Sequence, residues 1–83
     1  MIADQMTQRL AQLHPTLLEI LDESEGHRGH SGFREGGESH FRIRMASPAF
    51  TGLTRLQRHR LVHDTLGDIM PRIHALALEL NES

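Results

Sequence analysis

The chain has 83 residues, a formal net charge of −2, nine basic side chains that are all arginine, and neither cysteine, tyrosine nor tryptophan. That length holds one small domain, residues 1–83, with a thin core. The composition excludes disulfides, thiol catalysis and thiolate ligation by this chain, and it implies no general affinity for nucleic acid.

Residues 2–13 carry Ile2, Met6, Leu10 and Leu13 on one stripe, which predicts an amphipathic helix ended by His14-Pro15. Residues 16–22 contain Leu17, Leu18, Ile20 and Leu21 and predict a strand with both faces partly covered. Residues 22–37 are polar and rich in glycine, histidine and charge, a long loop for so small a domain. Residues 40–46 alternate, with Phe41, Ile43 and Met45 on one face and His40, Arg42 and Arg44 on the other, as a half-exposed strand does.

Residues 50–69 read as a turn followed by a helix, with Gly52 in the turn and Thr51 or Thr54 as N-cap. At about 100° per residue, Val62, Thr65, Leu66, Ile69 and Met70 fall on one arc, with Leu56 and Leu61 at its edges. Arg55, Arg58 and His59 project toward that same arc. Three such groups are not buried together unpaired, so the first half of this helix is expected to overhang the core and present a polar face. Pro71 closes the helix. Residues 73–80 predict a last strand with Ile73, Ala75 and Ala77 on one face and His74, Leu76, Leu78 and Leu80 on the other, which suggests a central or well-covered position. The order α-β-β-α-β predicts an α+β sandwich. Its mixed sheet would have three strands, antiparallel then parallel, with the helices on one face. No stretch is apolar enough to span a membrane and no signal-peptide core is present. The expected location is the cytoplasm, or the mitochondrion if the source is eukaryotic, the second disfavoured by the want of a transit peptide.

The run ESHFRIRMASPAFTGLTRLQRHRLVHDTL over 38–66, followed by IHALAL over 73–78, resembles the BolA-like proteins, the stress-induced morphogens. Asp22, Glu23 and Ser24 at the end of the first strand match the same pattern. The resemblance implies a type II KH-like fold and no catalysis. It implies a monothiol glutaredoxin as partner and a 2Fe-2S cluster shared with it, in iron–sulfur trafficking or iron homeostasis. The histidine such proteins supply at the start of the last strand corresponds to His74, and a second ligand from the loop between the first two strands to His30 or His27. Some members are described as DNA-binding transcription regulators of stress response and cell morphology, which is the alternative reading. Relatives usually continue past the last strand into a short helix, whereas this chain stops at Ser83.

Each candidate also has a plainer reading. His74 can be a strand-edge residue bonded to a loop carbonyl, and His27 and His30 can be solvated loop residues. Arg55, Arg58, His59 and Arg60 form a candidate surface for an acidic partner or for nucleic acid, to which Arg42 and Arg44 could add a strand face. Otherwise Arg60 pairs with Asp64 or Asp68, and His59 holds its helix to the sheet. His63 lies one turn from His59 with no third ligand evident. The carboxylates of Asp22, Glu23, Glu25, Glu35 and Glu38 read as a solvated rim, since nothing suggests the pocket that acid–base catalysis needs. Gly-x-x-Gly spacings at Gly26 and Gly29 lie between the first two strands, the wrong place for a KH nucleic-acid clamp.

Overall fold

The structure is a computed structural model that describes residues 1–24 and 39–82. Helix α1 spans Ile2–Leu10 and places Ile2, Met6 and Leu10 in the core. It tightens into a 3-10 turn over Ala11–Leu13 instead of running on to residue 13. Pro15 disfavours the α-conformation at His14, and the chain turns there through a left-handed φ of 50°. Strands β1 (Leu17–Asp22) and β2 (His40–Ala46) pair antiparallel, from Leu17 opposite Ala46 to Asp22 opposite Phe41. A 3-10 turn at Pro48–Phe50, capped by Ser47, seats Phe50 in the core. Gly52 then takes a φ of +80°, which a side chain would strain.

Helix α2 spans Arg55–Leu66. Of the two candidate caps, Thr54 is used: its hydroxyl accepts Gln57 N–H at 3.1 Å and Gln57 Oε1 accepts Thr54 N–H at 2.9 Å. Val62 and Leu66 are buried, but Leu56, expected at the edge of the core arc, is exposed. The α-helix ends earlier than expected, at Gly67 with a φ of +53°. A 3-10 stretch over Gly67–Arg72 carries Ile69 into the core. Pro71 has no N–H to continue an α-ladder, which favours the change.

Strand β3 (Ala75–Asn81) pairs parallel with β2, from His40 opposite Ala75 to Ala46 opposite Asn81. The strand order is β1-β2-β3, so β2 is central and β3 is an edge, against the expectation for β3. The misleading signal was alanine. Register puts Ala75 and Ala77 on the face away from the helices, and alanine is small enough to sit on either face. Leu76, Leu78 and Leu80 share the other face with Phe41, Ile43 and Met45 and pack on the core. β1 is likewise less covered than expected, since Leu17 and Leu21 lie exposed on the helix-free face.

The architecture is thus an αββαβ sandwich with both helices and the core on one side of a mixed three-stranded sheet, compatible with a KH-like description. The other face is an ion-pair ladder. Arg42 meets Glu23 at 3.1 Å and Glu79 at 3.4 Å, and Arg44 meets Glu19 at 3.8 Å and Glu79 at 3.9 Å. No helix among the described residues is long and apolar enough to cross a membrane.

Candidate functional site

Two groups of candidate residues sit at opposite ends of β3. The first gathers where β1 ends, β2 begins and β3 begins. Asp22 Oδ1 accepts Ser24 N–H at 2.9 Å and turns the chain off the sheet. The buried Ser24 hydroxyl then accepts Ser39 N–H at 3.0 Å and His40 N–H at 3.1 Å. It thereby joins the two ends of the segment that leaves β1 and returns to β2. Ser39 O accepts both His74 N–H at 2.8 Å and Ala75 N–H at 3.2 Å. The main chain of His74 is therefore fixed to the start of β2, while its side chain stays exposed.

His40 is buried and its ring centroid lies 5.1 Å from that of His74, tilted by 53°. The hydroxyls of Ser24 and Ser39 are 3.2 Å apart, and Ser39 Oγ is 2.9 Å from His40 Nδ1. Ser39 Oγ donates to Ser24 Oγ, which thus accepts from two main-chain N–H groups and one hydroxyl. His40, placed by the sequence with Arg42 and Arg44 on one face of a half-exposed strand, is a buried neighbour of His74.

His27 and His30 lie outside the described residues. The segment that carries them departs at Ser24 and rejoins at Ser39, beside the main chain of His74. An exposed imidazole on a fixed main chain is a suitable donor for a borderline metal such as iron. Among the described residues no group of three or more His, Asp or Glu side chains is placed to hold a metal ion, so His74 would act with ligands from elsewhere.

The second group lies at the far end of β3, six residue steps or about 20 Å along the strand. A cleft of about 530 Å³ opens between the first turns of α2 and the end of β3, lined by Leu53, Arg55, Arg58, His59, Leu78, Leu80 and Asn81 together with Glu79. The overhang expected of α2 is this cleft's wall. Arg58 is half-buried and tied down: Nε donates to Leu53 O at 3.1 Å and Nη1 to Leu80 O at 3.4 Å. Arg55 is exposed and makes no hydrogen bond or ion pair among the described residues. His59 is half-buried in the cleft wall and makes no hydrogen bond among the described residues that would hold α2 to the sheet. Arg60 is exposed and does not line the cleft. Asp68, weighed as a partner for Arg60, pairs instead with Arg9 at 2.8 Å. His63 is exposed and belongs to no metal-binding group among the described residues.

Arg42 and Arg44 are the weakest part of the nucleic-acid reading. Their neighbours Glu19, Glu23 and Glu79 outnumber them. The hydrogen bond and charge of Glu23, with help from Glu79, push the Arg42 guanidinium further up from its already high value. The strand face is therefore a closed charge network. Sequence reasoning placed Ser24 and Ser39 in the family pattern but missed that both are buried and bonded to each other.

The chain matches the family described as BolA-like protein over residues 10–82. BolA-like protein 1 of Bos taurus is 44% identical over 68 residues, covering 81% of this chain but 47% of the bovine protein, so the chain spans about half of that relative. The DNA-binding transcriptional regulator BolA of Escherichia coli strain K12 is 39% identical over 80 residues, covering 94% of this chain and 72% of the relative. Among solved structures, BolA1 from Arabidopsis thaliana superimposes with a TM-score of 0.85 at 30% identity, covering 99% of this chain and 92% of that one.

Proposed function

The chain belongs to the BolA-like protein family, and from that premise we propose that it is a non-catalytic adaptor that binds a monothiol glutaredoxin and shares a 2Fe-2S cluster with it. The observation that carries this reading is the placing of His74. Its main chain is bonded to Ser39 while its imidazole is exposed beside the two ends of the segment bearing His27 and His30. In this reading His74 presents one nitrogen donor, His40 packs against it, and His30 or His27 provides the second donor. The cluster, when bound, supplies an electron-accepting and transferable iron–sulfur group whose potential imidazole ligation raises. The role fits iron–sulfur trafficking or iron homeostasis.

The test is a titration of this protein into a cluster-loaded monothiol glutaredoxin, followed by visible absorption and circular dichroism. A new spectrum saturating at one-to-one stoichiometry is expected. His74→Ala should alter that spectrum and leave the far-ultraviolet dichroism unchanged. Failure of the two proteins to associate would remove the adaptor reading, and an unaltered spectrum in the variant would remove His74 as a ligand.

A second reading, a DNA-binding regulator of transcription in stress response and cell morphology, is favoured by one observation. The similar Escherichia coli protein is described as a DNA-binding transcriptional regulator. In this chain the arginines available for it are Arg55, Arg58 and Arg60. Saturable binding that weakens steeply with salt is its expected signature.

A further inference from the structure

β3 is an edge strand, and among the described residues its outward main chain has few hydrogen-bond partners. Ala75 N–H donates to Ser39 O at 3.2 Å and Asn81 O accepts Ser47 N–H at 3.0 Å, so residues 75, 77, 79 and 81 bond toward β2. In a parallel ladder the residues between them point their N–H and C=O groups the other way. These are Leu76, Leu78 and Leu80. Arg58 occupies the Leu80 carbonyl, and the remaining outward groups have no partner among the described residues. Edges of this kind are ordinarily blunted by a bulge, a proline or a charge on the strand. Here the register is unbroken, the strand has no proline, and its one charged side chain, Glu79, is turned to the helix-free face by Arg42 and Arg44.

We propose that the β3 edge is a docking site for an extended acidic segment of a partner protein, which adds to the sheet as a fourth strand and sets its carboxylates in the cleft against Arg55, Arg58 and His59. Two independent features carry this. The outward N–H groups of Leu76, Leu78 and Leu80 and the carbonyls of Leu76 and Leu78 match a polypeptide main chain. The adjoining cleft holds Arg55, Arg58 and His59, with the Glu79 carboxylate engaged elsewhere. Charge decides the occupant. A second copy of this chain, paired edge to edge, would bring only the ALAL run and a Glu79 already held by Arg42 and Arg44, and so no free carboxylate for the cleft, whereas an acidic strand meets opposite charge. A nucleic-acid backbone would satisfy the arginines but would set phosphates against the outward carbonyls. The arginine cleft lies at the end of β3 away from His74, although Leu76 is two residues from it, and no contact of the proposal uses the His74 side chain.

The experiment uses the full chain and a fluorescent short peptide of alternating glutamate and valine, with a lysine-for-glutamate peptide as control. The expected result is saturable one-to-one binding of the acidic peptide only, with slowed amide exchange at Leu78 and Leu80. Arg55→Glu should weaken binding about tenfold by placing like charge against the peptide. It should not lower the melting temperature, because the Arg55 side chain has no partner among the described residues. The proposal is overturned by no binding, by equal binding of the lysine peptide, or by binding that leaves both amides unprotected. It is also overturned if the amides are already protected in a species of twice the mass, which would make the occupant a second copy. Protection by a short DNA duplex but not by the peptide would overturn it as well.

Discussion

The side chain of Ser24 holds together pieces of chain that are distant in sequence. Its oxygen accepts the N–H groups of Ser39 and His40 and the hydroxyl of Ser39, whose oxygen lies 2.9 Å from His40 Nδ1. Removing it leaves two buried donors without acceptors, at about 1–3 kcal/mol for such an unmet group. Ser24→Ala is therefore expected to lower unfolding stability by that order in urea denaturation, and Ser24→Thr to recover part of it. An unchanged denaturation midpoint would mean that water replaces the hydroxyl. Little of this was legible beforehand. A serine before a polar loop looks like any turn residue, and only the return of the chain at Ser39 makes it a buried acceptor. His74 was legible as a candidate because of its place in a recognisable run of residues. Its exposure and its contact with His40 were not, since they depend on where the other strand begins.

At the scale of elements, α1 and α2 are tied by Arg9. Its Nη1 donates to Leu66 O at 2.8 Å and its Nη2 pairs with Asp68 at 2.8 Å, so one guanidinium both caps the end of α2 and meets the first acid after it. The hydrogen bond and charge of Arg9 hold the Asp68 carboxyl below its ordinary value of 3.8. A carboxyl depressed in the folded state stabilises fully above its unfolded value, and loses that contribution as pH falls through the folded one. The melting temperature of Asp68→Asn should thus lie below that of the parent by a constant margin above about pH 4, and the two should converge as pH is lowered further. A margin that persists at the acid limit would point to lost helix capping in place of the ion pair. The ends of α2 show how far local signals reach. The N-terminus was readable because a threonine with a glutamine three residues on closes its own box. The C-terminus was misjudged by a turn, because a periodic apolar pattern continues smoothly from α-helix into a 3-10 stretch. The position of β3 was misjudged because alanines report no face.

For the whole molecule the decisive quantity is the thin core. Among the described residues Phe50 is the largest fully buried side chain, and it comes from a three-residue 3-10 turn, not from an α-helix or strand. Truncating such a residue costs about 3–5 kcal/mol, against a total of about 5–15 kcal/mol for a typical domain. Phe50→Ala is expected to leave a chain that is marginally folded at 37 °C, seen as a large loss of melting temperature by circular dichroism, whereas Phe50→Leu should retain the fold. A melting temperature within a few degrees of the parent in the alanine variant would show that Phe50 is not central to the core.

By itself the sequence determined the kinds of element, their order and the apolar faces, because periods of 3.6 and 2 are local properties of the chain. It also determined the family, because several short motifs stand in the right order. Only the tertiary structure decided which strand is central, that Arg42 and Arg44 are matched by Glu19, Glu23 and Glu79, and that the His74 end and the arginine cleft lie at opposite ends of one strand. Those facts depend on register and on pairing between residues far apart in the chain. A charge's partner, or a strand's free edge, is set by what is brought beside it.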